Sequence, residues 1–171
     1  MKSRVRVFAA LVCASAFAGG GCQTLSTLPR DPDKWSERVR TSGVLPVGIA
    51  QTGNAQAEDG PEFARIGRRE RRIAEAVARH LGARVEWREG SALPLLARLQ
   101  ERQLPLVLGL VPEKTPYKKE VALSRPYISS GPGNAAYCVA VAPGENSLLL
   151  LVDRVIGEER ASWEPEPGGK P

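Results

Sequence analysis

The chain has 171 residues, 42% of them apolar and 25% charged, which suits one folded domain with tails. Its formal charge is +5, but Lys2, Arg4 and Arg6 lie in the first 21 residues, and the remainder carries 21 basic side chains against 19 acids. Those acids are interleaved with the bases almost throughout, so the basic charge is a weak argument for nucleic-acid binding and no nucleic-acid partner is expected, and three cysteines are too few for a disulfide framework.

In chain order, Lys2, Arg4 and Arg6 precede an apolar run, Val7 to Ala18, that is too short for a stable membrane-spanning helix. Gly19, Gly20, Gly21 and Cys22 follow, so residues 1–21 read as a signal peptide. Residues 22–41 are polar, with Pro29 and Pro32, and predict a tether with a helical turn after Asp31-Pro32-Asp33. Residues 42–160 predict the folded lobe, and residues 161–171, rich in Pro and Gly, a disordered tail.

Within the lobe, Val44 to Ala50 predicts a strand and Gln51 to Pro61 a polar loop. Ile66, Ile73, Val77 and Leu81 recur at helical spacing, and Gly82 ends that helix. Ala83 to Trp87 is a second strand. Ser91 is placed to cap a helix carrying Leu95, Leu96 and Leu99 on one face. Leu104 to Val111 is a near-continuous apolar run, expected as a central strand buried on both faces. Tyr137 to Val141 is a later strand, leading through Pro143-Gly144 into a helix with Leu148, Leu151, Val152 and Val155 inward. Strand and helix alternate, so the expected class is α/β, a mostly parallel sheet with helices on both faces. Ligands of such sheets sit at the carboxyl ends of the strands. Here that edge is expected to carry Gln51–Pro61, Glu89–Ser91 and Pro112–Lys119 as loops.

Glu70 falls on the apolar stripe of the first long helix; it either contacts a ligand in the cleft or complements the helix dipole. Arg68, Arg69, Arg71 and Arg72 form a charge run that reads first as a solvated helix face, with anionic lipid or peptidoglycan as the sharper alternative. His80, the one histidine, needs no function beside a helix C-terminus. Cys138 lies in an apolar run and reads as a small buried hydrophobe. No nucleophile–base set, phosphate loop or metal-ligand spacing appears, so neither an enzyme nor a cofactor is expected.

Small residues before Cys22 resemble a bacterial lipobox, in which the cysteine is acylated after cleavage. Gly19 stands where that motif carries Leu, and cleavage without lipid stays open as the alternative. Gln23 after the cysteine resembles lipoproteins sorted to the outer membrane. The lobe in turn resembles the first lobe of family 3 solute-binding proteins, the periplasmic receptors of amino-acid ABC transporters. The residues that carry this are Val47-Gly48, Leu81-Gly82-Ala83, Glu86-Trp87, Gly109, Thr115-Pro116-Tyr117-Lys118 and Leu123-Ser124-Arg125-Pro126-Tyr127, across about residues 44–130.

The resemblance implies a single lobe of the type II periplasmic-binding-protein fold. The second lobe is replaced by the short turn Gly131-Pro132-Gly133-Asn134, and the returning strand and helix follow directly. It also implies a ligand site. Lys118, with Lys119 as the alternative, stands where the family has a carboxylate-gripping Arg, and Pro105 stands where it has an Asp. Lys lacks the bidentate fork of Arg and selects less well. Tyr117 either stacks on a ligand or buttresses its loop. Gln51, Glu70, Thr115, Tyr117 and Lys118 are the candidate ligand residues, with Cys22 the lipidation site. The expected function is a lipid-anchored periplasmic module, with the outer membrane favoured. It would bind a small polar or anionic solute weakly in connection with an ABC permease. The alternative is a non-catalytic module for another envelope protein, its ligand binding lost.

Overall fold

The structure, a computed structural model, describes residues 31–51, 61–131 and 135–163. The expected signal peptide, Cys22 and the first part of the expected tether therefore lie outside the described residues, as do 164–171 of the expected tail. The elements run α1 (Trp35–Ser42), β1 (Val44–Gln51), α2 (Pro61–His80), β2 (Arg84–Ser91), α3 (Ala92–Gln100), β3 (Leu106–Pro112), a 3₁₀ turn (Pro116–Lys119), β4 (Ala122–Leu123), β5 (Ile128–Gly131), β6 (Ala135–Val141) and α4 (Asn146–Arg160).

The six-stranded sheet is ordered β2-β1-β3-β6-β4, with β5 also paired to β6. β1 pairs in parallel with β2 along its whole length, from Val44–Arg84 to Gln51–Ser91, and with β3 from Val47–Leu106 to Ile49–Leu108. β6 is antiparallel to β3, β4 and β5, so five strands share one direction and β6 alone is reversed. The sheet is mostly parallel, as the alternation of elements predicts. Its central strand β3 is buried from Leu106 through Gly109, which explains why its sequence is apolar without alternation.

α2 and α1 both pack on α4, while α3 packs on β1, β2 and β3. The stripe Ile66, Ile73 and Val77 is buried at 4%, 1% and 0% exposure, and each such side chain contributes roughly 1.5–3 kcal/mol relative to exposure. Gly82 closes α2 with φ of +66°. The Val47-Gly48 pair has a packing reason. Val47 is buried on one face of β1. A Cβ on Gly48 would sit 3.0 Å from Val107 and 3.3 Å from Leu104 and Leu95, so the glycine lets α3 seat closely on the other face.

Five sequence expectations change. Residues 31–41 are not tether: α1 buries Trp35 and Val39 at 5% and 1% exposure, so the lobe begins near Asp31. Two reciprocal caps fasten it. The Glu145 carboxylate accepts from the backbone N–H groups of Asp33 (2.8 Å) and Trp35 (3.0 Å), while the Asp31 carboxylate accepts from Ser147 N (2.7 Å) at the start of α4. Glu89–Ser91 is strand rather than loop, because β2 pairs with β1 through Ser91. Ser91 precedes α3 but its side chain makes no capping hydrogen bond. At the far end Trp163 packs against the core, so the expected tail does not start at 161. In α4, Leu148, Val152 and Val155 are buried as expected, joined by Ile156, whereas Leu151 is half-buried.

Candidate functional site

Because β1, β2 and β3 are parallel, their carboxyl ends lie along one edge of the sheet. A cleft of about 220 Å³ opens there, lined by Ile49, Ala50 and Gln51 of β1, by Glu70 of α2, and by Gly109 and Leu110 of β3. Arg71 also borders it, with its guanidinium 5.2 Å from the Trp87 ring centroid. Apolar walls with a few polar groups are the usual make-up of a small-molecule site.

The cleft depends on a break in β3. Gly109 has φ of +108° and Leu110 φ of +54°, and the register against β6 shifts between Val107 and Val111. Such a bulge turns two consecutive N–H groups out of the ladder. Both donate to Glu70 Oε1, each at 3.0 Å, and the Tyr127 hydroxyl donates to the same oxygen. Glu70 is 4% exposed and Tyr127 fully buried. Burial pushes the Glu70 carboxyl above its ordinary range, against the opposing pull of Tyr127 and the two backbone donors. Burial and the neighbouring Glu70 charge hold the Tyr127 phenol well above its ordinary value. Gly109 has no substitute here, since a Cβ would fall 2.6 Å from the Ala50 backbone nitrogen and Cβ.

Glu70 thus does something neither sequence reading foresaw. It sits mid-helix, away from the N-terminal turn where the dipole acts, and its carboxylate pins the β3 bulge at the cleft wall. Gln51 also lines the cleft and is exposed, with Nε2 donating to Glu89 Oε2 at 3.1 Å. The other three candidates gather in the 3₁₀ turn after β3. Thr115 caps it, its hydroxyl accepting from Tyr117 N at 3.4 Å, Tyr117 packs half-buried on the core, and Lys118 is exposed.

Sequence reasoning missed the Glu70–Tyr127 couple. Its signal was present: an acid on an apolar helix stripe and the aromatic hydroxyl of Tyr127, just ahead of β5, each need a partner when buried. The motif that delivers Tyr127 is itself pinned. Ser124 Oγ accepts from Val139 N at 2.9 Å, Arg125 N donates to Asp153 Oδ1 at 2.7 Å, and Arg160 donates to the Pro126 carbonyl at 2.7 Å. Cys138 is a free, buried thiol in β6, pushed up to about 11 by burial and by the charges of Glu113 and Asp153.

No family model and no curated protein sequence matches the chain. Solved structures do. Domain 1 of TmArgBP in its arginine-bound form matches with a TM-score of 0.56 at 22% identity, over 71% of this chain and 97% of that domain. The amino acid ABC transporter substrate-binding protein AbpA from Streptococcus pneumoniae, bound to L-arginine, matches with a TM-score of 0.56 at 15% identity, over 74% of this chain and 92% of that one. An ancestral cationic amino acid solute-binding protein matches with a TM-score of 0.55 at 13% identity, over 74% of this chain and 94% of that one. These likenesses give the fold: this chain has the architecture of one lobe of an amino-acid solute-binding protein, as the motifs at Val47-Gly48, Gly109 and Pro126-Tyr127 imply.

Proposed function

We propose that the protein is a lipid-anchored module of the bacterial periplasm whose single lobe binds a small polar solute in the cleft at Gln51, Glu70 and Leu110, in connection with an ABC-type permease. The observation that carries this reading is the match to domain 1 of TmArgBP, which is described in its arginine-bound form as a domain and which this chain covers almost entirely. A second lobe is therefore not a precondition for a bound solute. The chemistry of the cleft refines the solute class. Two backbone donors on its wall, Gly109 N and Leu110 N, already serve Glu70, and Lys118 does not line it. With Glu70 on its wall and Arg71 at its border, the cleft presents an acid and a base together, which suits a zwitterionic amino acid better than a simple anion. The anchor is Cys22, with Gln23 favouring the outer membrane.

The test is a thermal-shift and calorimetry screen of free amino acids and small amines. Binding must raise the melting temperature by mass action, worth about 2.7 kcal/mol when the solute is at 100 times its dissociation constant. Gln51→Ala should weaken the shift while leaving the unliganded protein as stable as before, because Gln51 is exposed. Absence of any shift at millimolar solute sinks the solute reading. The engaged donors at Gly109 and Leu110 and the exposed Lys118 favour a second reading, an interaction module for another envelope protein. Crosslinking in cells that captures a partner, unaltered by Gln51→Ala, would select it. The anchor has its own test: Cys22→Ala should release the protein from the membrane fraction.

A further inference from the structure

A different flank of α2 carries a second concavity. Arg65, Arg68, Arg69 and Arg72 recur at helical i, i+3, i+4 and i+7 spacing and, with Ser162 and Trp163 beyond α4, line a groove of about 150 Å³. The groove is built rather than a chance crowding of surface charge. Arg69 is only 5% exposed, and its guanidinium lies 5.1 Å from the Trp163 ring centroid, a cation–π stack that fixes its orientation. The Trp163 indole Nε1 is buried and has no hydrogen-bond partner among the described residues. Among the described residues, no acid forms an ion pair with Arg65, Arg68 or Arg72. In sequence Glu164 and Glu166 follow Trp163, two acids against the three groove cations Arg65, Arg68 and Arg72.

We propose that this groove is a binding site for a phosphate group, presented either by a small phosphorylated solute or by an anionic phospholipid headgroup. Planar guanidinium forks match phosphate oxygens two at a time, which a lysine cluster would not do. The volume suits one such group rather than an extended ligand. The site shares no lining residue with the cleft at Glu70, and its test can fail or succeed whatever the solute screen returns.

The full chain is titrated with inorganic phosphate by calorimetry, and separately sedimented with vesicles of phosphatidylglycerol or of phosphatidylcholine. An acyl anchor partitions into both vesicle types, so the difference between them reads the headgroup. Saturable binding of phosphate, or a preference for phosphatidylglycerol, is the expected result, and which arm responds identifies the source. Combined Arg65→Gln, Arg68→Gln and Arg72→Gln substitution should weaken the responding arm about tenfold or more. These side chains are not in the buried core, so the variant should keep its fold and melting temperature. Arg84→Gln, on the edge strand β2, should change nothing. The proposal is overturned if neither arm responds, if the triple variant binds as wild type, or if binding emerges only in a chain ended at Trp163, which would give the groove to the chain's own carboxylates.

Discussion

The Tyr127 hydroxyl donates to the Glu70 carboxylate in the protein interior, joining the strand β5 region to α2 across the bulge of β3. One carboxylate oxygen thereby serves three donors from two separate parts of the chain. Removing the hydroxyl with Tyr127→Phe leaves the two backbone donors in place, so the loss of stability should be modest, about 1–2 kcal/mol. Equilibrium urea unfolding measures it. A neutral result would mean that the hydroxyl contributes nothing net.

The raised Glu70 carboxyl makes stability depend on pH. A group that holds its proton more tightly folded than unfolded favours the folded state below its unfolded pKa. That contribution is lost as pH rises through the folded value. The stability of the wild type relative to Glu70→Gln should therefore be greatest below about pH 4.3 and decline as pH rises. Unfolding midpoints of both proteins along a pH series test this. A difference that grows with pH would show that the hydrogen bonds outweigh burial.

Gly109→Ala should be severely destabilising, by about 2–4 kcal/mol, because the positive φ and the contact with Ala50 are both backbone constraints that no rotamer relieves. Hydrogen exchange should localise the loss to the β1–β3 pairing. An alanine variant with native stability and unchanged exchange at Ile49 and Leu108 would refute the close approach.

Glu145→Ala should release α1 before the rest of the lobe unfolds. The carboxylate is 1% exposed and satisfies the N–H groups of Asp33 and Trp35, so its loss leaves two donors unpaired at a cost of about 1–3 kcal/mol. Limited proteolysis should then cut between Asp31 and Ser42 at a rate the wild type does not show.

Cys138 should be inert in the folded protein. Its thiol is fully buried and held up to about 11, so little thiolate forms near neutral pH. In a chain starting at Gln23 it is the only cysteine, and labelling with a thiol reagent should appear only on unfolding. Rapid labelling without denaturant would place the thiol at the surface.

Periodicity alone determined much of the lobe. Ile66, Ile73 and Val77 define a helix face, and Leu106 to Leu108 define a buried strand, because apolar spacing is a local record of what each element must cover. The export signal expected ahead of Cys22 likewise rests on local composition alone. What only the tertiary structure decided were the long-range pairings of polar groups. Asp31 falls in the expected tether and Glu145 just after the Pro143-Gly144 turn, yet they exchange caps between α1 and α4 and draw residues 31–42 into the lobe. Glu70 looked like a cleft or dipole residue until the bulge at Gly109 and Leu110 and the hydroxyl of Tyr127 were brought to it. Of the run Arg68, Arg69, Arg71 and Arg72, expected as a solvated face, three are exposed, and Arg69 alone is buried, against Trp163. Burial can be read from a pattern of one residue after another, but a hydrogen-bond partner is chosen by the fold, from anywhere in the chain that packing brings within reach.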